Sequence, residues 1–362
     1  MNEAAAPRVM APTRRLALDR RLVVPLLALV ALCVAIVMGT AIGPVYISPV
    51  KVWDALLVGM HFKARTAEIS ETIVLDLRLP RVLVAAMVGS SLAVSGAILQ
   101  GVTRNPLSDP HIFGISAGAG VVAIAFIVFA PTLSNEIFEA APFGLHLANF
   151  SIVQPLSLLG GLAAGGLAYA MAWRGGVAPA RMALAGIAVT SMLSAVSSAI
   201  LVTSAFSAQI GLRWLIGGLL GRDWDDFWML LPYFVAGTIV AMVMARQLNV
   251  ISLGDELATS LGQNVERTRL LLTATAALLA SAAVSIAGLI GFVGLIIPHL
   301  VRLLIGNDYR LLIPTSALFG AVLLIVADTV ARTAFDPHEL PVGVFTAVIG
   351  GPVFILLVRQ RA

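Results

Sequence analysis

Long apolar runs separated by short polar stretches are the dominant pattern along the chain. A helix needs about 20 apolar residues to cross the hydrocarbon core of a bilayer. Backbone groups in lipid must be hydrogen-bonded within the protein, so runs of this length predict helices rather than strands. We predict spanning segments at residues 22–42, 82–101, 112–130, 154–173, 182–203, 228–245, 270–290, 292–305, 312–331 and 342–358. The pattern therefore predicts an all-α polytopic membrane protein with about ten transmembrane helices, of which the eighth is short and nearly continuous with the seventh.

Composition agrees with this pattern and excludes other classes. Of the 362 residues, 59% are hydrophobic and 12% are charged, and the mean hydropathy is +0.98. A soluble chain of this length would be more polar. We predict a cytoplasmic N-terminal segment at residues 1–21 and a single transmembrane domain at residues 22–362. The isoelectric point near 9.7 comes from scattered arginines, so we expect membrane lipid around the chain and no nucleic-acid partner.

The distribution of charge predicts the orientation in the membrane. Lys and Arg concentrate in cytoplasmic loops. With the N-terminus in the cytoplasm, most arginines fall inside, and the acidic cluster of Asp223, Asp225 and Asp226 falls outside. An even number of segments then places both termini in the cytoplasm. The basic start resembles a signal peptide, but the apolar run behind it is long enough to span a bilayer and predicts an uncleaved first helix.

A faint internal repeat links two of the predicted segments. The run from Ser91 to Ser95 in the second segment resembles the run from Ser281 to Ser285 in the seventh. An odd offset of five helices would make the two copies run in opposite directions, as in the inverted repeats of many transporters. Short Ala/Ser matches also arise by chance, so the sequence predicts only a weak inverted repeat.

Few residues carry chemistry of their own. Cys33 is the only cysteine, and the five histidines are not spaced as metal ligands, so we expect no metal site. Lys51 and Lys63 are the only lysines, and neither follows a glycine-rich phosphate loop. Asp328 is the only carboxylate within a predicted span, which argues against a relay for protons or sodium. The pattern favours a pore-forming subunit without catalytic residues or a cofactor of its own.

Two other functions remain open from the residues alone. A secondary transporter of a small solute would work on an ion gradient without an ATPase. An intramembrane enzyme would need convergent Ser/His, paired Asp or metal-binding groups inside the spans, and the sequence shows no such arrangement.

The loop between the sixth and seventh segments predicts a short amphipathic helix on the cytoplasmic side. Asp255 could cap its start, and Gly262 could end it. Leu257, Ala258 and Leu261 would lie on one face. That apolar face would either dock into a groove of a soluble partner or lie on the membrane surface.

Nine short motifs stand in order along the chain. They are Arg78–Arg81, Gly89–Gly96, Gln100, Arg104–Leu107, Gly114–Ala119, Gly254–Gly262, Gly291–Arg302, Ala327–Asp328 and Leu340–Gly343. With these motifs, the chain from about residue 45 onwards resembles the FecCD-type permeases, which belong to ABC importers for iron-siderophores, haem and vitamin B12.

The resemblance implies an assembly in the bacterial inner membrane. It implies a dimer of permease subunits, identical or homologous, with a cytoplasmic ABC ATPase dimer that holds ATP and magnesium, and with a periplasmic substrate-binding protein. The cargo would be a metal chelate moved inward by alternating access, with an iron-siderophore as the default and haem or cobalamin as the alternatives. By the same likeness, the segment 254–262 is the coupling helix that docks into the ATPase, formed by Gly254, Asp255, Glu256, Leu257, Ala258, Leu261 and Gly262.

The resemblance also implies roles for three arginines on the predicted outer side. Arg78, Arg81 and Arg332 would receive glutamates of the binding protein. Positive charge outside runs against the usual bias, so these residues need a partner. The alternative is local pairing, because Asp328 precedes Arg332 by four residues on one predicted helix.

The third implication of the resemblance concerns the translocation path. The fifth helices of the two subunits would line it at the dimer axis. In this chain Ser191, Met192, Ser194 and Ser198 share that helix, and a weakly polar wall would let a large chelate pass. Ordinary packing of small residues between helices is the alternative.

Overall fold

The computed structural model describes residues 14–59, 62, 68–137, 152–173, 177–203, 205–335 and 338–359. The first 13 residues of the predicted cytoplasmic segment lie outside this part of the chain. In chain order the helices are α1 (Arg14–Ala41), α2 (Pro49–Gly59), α3 (Ile69–Thr72), α4 (Leu79–Thr103), α5 (Ile115–Ile137), α6 (Val153–Ala172), α7 (Pro179–Val202), α8 (Ala205–Ile216), α9 (Trp224–Val243), α10 (Ala245–Ser252), α11 (Asp255–Ser260), α12 (Val265–Ala287), α13 (Val293–Ile305), α14 (Tyr309–Ala331) and α15 (Val342–Arg359).

The apolar helices correspond one for one to the predicted segments. Among the described residues, seven helices are long and apolar enough to cross a membrane, and α5, α13 and α15 contain shorter apolar stretches. The all-α polytopic prediction is confirmed. The crossing of the membrane by the three shorter helices stays a prediction, as do the weak inverted repeat and the cytoplasmic position of both termini.

Three helices form the centre of the molecule. In the most apolar 18-residue stretch of each helix, the share of residues that are buried is 94% in α4, 78% in α12 and 56% in α14. Glycines allow the close approach: a side chain at Gly89 would collide with the backbone of Gly320 in α14, and one at Gly96 with the backbone of Gly294 in α13. The Ser95 hydroxyl of α4 donates to the Ala276 carbonyl of α12 over 2.7 Å. By contrast, the buried share of the corresponding stretch is only 17% in α1 and 22% in α7.

The seventh and eighth predicted segments are separate helices. Gly288, with φ +69°, follows the last residue of α12, and Phe292, also with φ +69°, precedes α13. Left-handed backbone at both positions interrupts the helix. A side chain at Gly288 would collide with the Trp214 carbonyl of α8, so the break brings α8 against the end of α12.

Several short elements in the predicted loops were missed from the sequence. They are α2, α3 with the π-helical turn Ile73–Arg78 that joins it to α4, the 3₁₀ turn Pro110–Phe113, α8 and α10. The acidic cluster before the sixth segment has a local function, because the Asp223 carboxylate accepts from the backbone N–H groups of Asp225 and Asp226 and caps α9.

Candidate functional site

The predicted coupling segment forms a helix of one and a half turns, α11. Gly254, with φ +117°, precedes it, and Gly262, with φ +80°, follows it. The Gln263 N–H donates to the Ala258 carbonyl over 3.0 Å, and the Gly262 N–H donates to the Thr259 carbonyl over 2.9 Å. This pair of bonds is the Schellman ending, which favours glycine at the left-handed position. The prediction that Gly262 ends the helix is confirmed.

Asp255 does not cap α11, so that prediction is wrong. The N-cap position is Gly254, and no side chain accepts the first N–H groups of the helix. The Asp255 carboxylate instead receives Arg104 over 3.0 Å and Arg269 over 2.8 Å. The two guanidinium groups carry full positive charges, whereas the N-terminus of a helix carries only a partial one, which explains why the carboxylate turns away from its own helix.

Arg269 connects α11 to the rest of the molecule. Its side chain is only 2% exposed although it lies in the first turns of α12. Besides Asp255, it donates to the Val177 carbonyl over 2.6 Å, two residues before α7, and it lies 3.5 Å from Glu266. We call Arg104, Val177, Asp255, Glu266 and Arg269 the α11 anchor. Through this cluster the short helix is fixed to the ends of α4, α7 and α12.

The apolar residues of α11 lie on two different sides of the helix, one buried against the chain and one exposed. Ala258 is completely buried against the chain, so its predicted place on the docking face is wrong. Leu257 is 56% exposed and Leu261 is 66% exposed. Leu253, which was not predicted, is exposed beside them, and Glu256 is exposed as well. Leu253, Leu257 and Leu261 form what we call the leucine surface.

At the opposite end of α4, two arginines hold the end of α1. The Arg78 side chain is buried and donates to the carbonyls of Thr40 and Ala41 over 3.1 and 3.0 Å. Arg332, also buried, donates to the Gly39 carbonyl. The last carbonyls of a helix lack partners within it and carry partial negative charge, so guanidinium groups are suited to them. Burial lowers the pKa of Arg332 to about 10, which leaves the group protonated at neutral pH.

Arg81 forms a separate ion pair. Its Nε and Nη2 atoms contact the two oxygens of Asp328 over 3.0 and 2.9 Å, and its Nη1 atom contacts Glu339 over 2.9 Å. The alternative considered for Arg332, local pairing with Asp328 on the same helix, is not what the structure shows, since Asp328 receives Arg81 from α4 instead. All three outer arginines are bound by groups of their own chain. Their docking roles stay predictions.

The four residues of the predicted path lie on the open side of α7. Ser191, Met192, Ser194 and Ser198 are all exposed. The Ser198 hydroxyl donates to the Ser194 carbonyl within the helix over 3.0 Å. This face is available to lipid or to another subunit, and its role as a path stays a prediction.

Potential metal ligands are scattered along the described residues. Across the part of the chain that the structure describes, no three His, Cys, Asp or Glu side chains are grouped so as to hold a metal ion. His61 and His146 lie outside that part.

Comparison with known proteins places this architecture in a family. The model of the FecCD transport family matches residues 29–360. The chain is 44% identical over 313 residues to the cobalamin import system permease protein BtuC of Halobacterium salinarum, covering 85% of this chain and 80% of the relative. It is 41% identical over 340 residues to the iron(3+)-hydroxamate import system permease protein FhuB of Bacillus subtilis, covering 94% and 83%.

A solved structure agrees with these relatives. It is described as an inward-facing metal-chelate type ABC transporter, and it matches with a TM-score of 0.78 at 27% identity, over 93% of this chain and 98% of the other. The family model covers most of the chain, and the apolar helices cross the membrane several times. The chain is therefore a multi-pass membrane protein and belongs to the FecCD transport family of permeases.

Proposed function

We propose that this chain is the permease subunit of an ATP-driven ABC importer in the bacterial inner membrane, and that it moves a metal chelate into the cytoplasm by alternating access. Two relatives named as import permeases for cobalamin and for iron-hydroxamate support the class of cargo. ATP and magnesium are held by a separate ATPase dimer, and the permease carries out no covalent chemistry.

The leucine surface is the observation that carries the proposal. A single exposed leucine needs no explanation, but several on one short helix form an apolar patch, and a central apolar anchor surrounded by polar groups is typical of a docking site. Here two leucines, Leu257 and Leu261, project from a helix whose two ends are fixed by glycines. A surface held this rigidly is suited to receive movement from a partner, because α11 cannot rotate without displacing the α11 anchor.

The α11 anchor gives the movement a route into the membrane. Arg269 joins Asp255 of α11 to the Val177 carbonyl before α7. In the proposed mechanism the ATPase subunits close on ATP, α11 moves with them, and the ends of α4, α7 and α12 follow. We place a second permease subunit beside the exposed face of α7. The position of this face relative to the second subunit then changes, and the chelate passes between the two subunits.

The outer side receives the cargo from a periplasmic binding protein in this proposal. Arg81 remains a candidate contact for the binding protein. One of its two acidic partners, Glu339, lies in the segment after α14 and is partly exposed. Arg78 and Arg332 are buried and donate to carbonyls of α1. For these two residues we favour a structural role at the end of α1 over contact with the binding protein.

Reconstitution tests the proposal against its main alternative. The purified chain is placed in lipid vesicles with its periplasmic binding protein, with or without its partner ABC ATPase, and uptake of ⁵⁵Fe-labelled ferric citrate, ⁵⁵Fe-labelled ferric trihydroxamate, haemin and cobalamin is measured. We expect uptake of at least one chelate only when the ATPase, ATP and magnesium are present. Uptake by the chain alone that collapses on addition of an uncoupler would instead indicate an ion-driven secondary transporter.

A further inference from the structure

A cavity opens on the predicted outer side of the molecule, away from α11. Its volume is about 650 Å³, within the range of ligand-binding pockets. It lies between α8, the turn that follows α8, the end of α12 and the segment that follows α14. Trp214, Leu219 and Pro341 provide apolar walls, and three arginines, Arg81, Arg213 and Arg222, also line the cavity. We call this space the outer cavity.

The three arginines differ in how their charge is used. Arg81 is paired with Asp328 and Glu339, and Arg222 is paired with Asp226 over 3.1 Å. Within the described part of the chain, Arg213 forms neither a hydrogen bond nor an ion pair, and it is exposed.

The cavity therefore has a surplus of positive charge. Glu339 is the only acidic residue among its described lining residues, and its carboxylate is already bound by Arg81. The Nε atom of Arg222 is also buried without a partner. Because that atom is enclosed by the protein, the Arg213 guanidinium is the group whose N–H donors are available to a ligand in the cavity.

We propose that the outer cavity binds an anionic cargo, a metal chelate that carries free carboxylate groups, with Arg213 as its principal contact. This proposal rests on the proposed function and narrows its class of cargo. A guanidinium can hold a carboxylate through two parallel hydrogen bonds, a geometry that a neutral chelate does not use. Trp214 and Pro341 would contact the apolar part of the chelate.

Direct binding to the full-length chain in lipid nanodiscs tests the inference. The probes are two anionic chelates, ferric citrate and haemin, and two neutral ones, ferric trihydroxamate and cyanocobalamin, with empty nanodiscs to subtract lipid partitioning. We expect at least one anionic chelate to bind more tightly than both neutral ones. The Arg213→Gln variant should lose about tenfold of that affinity, as expected for one charged hydrogen-bonding contact. Arg213→Lys keeps the charge but loses the paired donors, so it should retain only part of that affinity. Arg310→Gln, which removes an exposed arginine at the start of α14, should change nothing.

Three results would overturn the inference. The first is tighter binding of a neutral chelate than of either anionic one. The second is an equal loss of affinity for anionic and neutral chelates in Arg213→Gln. The third is unchanged chelate affinity in Arg213→Gln with weaker binding of the cargo-free periplasmic protein, which would make Arg213 a protein contact. The vesicle assay is independent of all three: ATP-driven uptake of a neutral chelate would leave the proposed function standing, whereas uptake without the ATPase would remove it whatever Arg213 binds.

Discussion

The two ends of α4 both carry arginines, but they are built differently. At the outer end Arg78 and Arg81 are largely buried, and each is bound by groups of other helices. At the inner end Arg104 is half-exposed and pairs with Asp255, itself half-exposed, on a helix that presents leucines to water. A buried pair fixes the packing of helices, whereas an exposed pair contributes little to stability. The outer end is therefore suited to hold the fold, and the inner end to transmit a movement.

The largest expected effect is at the buried outer pair. Asp328→Asn leaves the Arg81 guanidinium without its main anionic partner and should destabilise the protein by about 3–5 kcal/mol. Thermal unfolding in detergent, followed by size-exclusion chromatography, measures this. Glu68→Gln, which removes one partner of the exposed pair of Lys51 and Glu68, should leave the thermal stability essentially unchanged. Equal losses in the two variants would show that burial does not separate the two classes of ion pair.

The second effect concerns the leucine surface and should leave the fold intact. Leu257→Asp combined with Leu261→Asp should lower ATPase association by about tenfold or more, because a docking anchor becomes charged. Co-purification and uptake in vesicles measure it. The matched control, Ser252→Asp with Asn307→Asp, adds the same charge to exposed polar positions and should behave as the unmodified chain. Normal coupled uptake by the double leucine variant would remove the coupling role of α11.

A third prediction separates docking from transmission. Asp255→Asn keeps the leucines but weakens the two charged contacts of the α11 anchor. The half-exposed pair with Arg104 contributes about 1 kcal/mol or less, so the contact with the buried Arg269 is the more important of the two. We expect ATPase binding to persist while more ATP is hydrolysed for each chelate transported. Asp255→Glu should restore part of the coupling. An unchanged ratio of hydrolysis to transport in Asp255→Asn would show that the α11 anchor carries no movement.

The smallest effect is a pH dependence at the start of α14. Burial tends to raise the pKa of Asp308, but hydrogen bonds from Asn249 and from the Arg310 N–H, together with nearby arginines, lower it below its usual value. The stabilisation is therefore present above the unfolded-state pKa, about 3.9, and is lost as the pH falls through the lower folded-state value. Asp308→Asn keeps the cap but should flatten this acid dependence. An identical pH profile of thermal stability in the two proteins would contradict the assignment.

The sequence predicts the parts of this fold that depend on local patterns. Apolar runs locate the helices, because the bilayer demands length and internal hydrogen bonding. The end of α11 was predictable from Gly262, since a left-handed residue favours glycine. Both are properties of neighbouring residues.

The rest depends on distant residues. Arg81 and Asp328 are separated by 247 positions, whereas the alternative partner that the sequence offers for Asp328, Arg332, is only four residues away. Arg269 stands among the exposed arginines of a loop in the sequence, yet it is buried against Val177. Short helices such as α8 were missed because they lack a long apolar run, and so the outer cavity was missed with them. The pattern of buried positions on the first turns of α12 is the one signal that could have indicated that Arg269 is buried.

Labelling at α11 tests the central claim most directly. Cys33 is the only cysteine, so Leu257→Cys in a Cys33→Ser chain places a single thiol on the leucine surface, and Asn307→Cys provides the control. In vesicles that expose the cytoplasmic face, the rate of reaction with a membrane-impermeant maleimide is measured with and without the ATPase. We predict fast labelling of both thiols in vesicles alone, and strong protection of Leu257→Cys, but not of Asn307→Cys, once the ATPase is added. Slow labelling of Leu257→Cys in vesicles without the ATPase would show that lipid covers the leucine surface and would contradict the account. Unchanged labelling of Leu257→Cys after the ATPase is added would also contradict it.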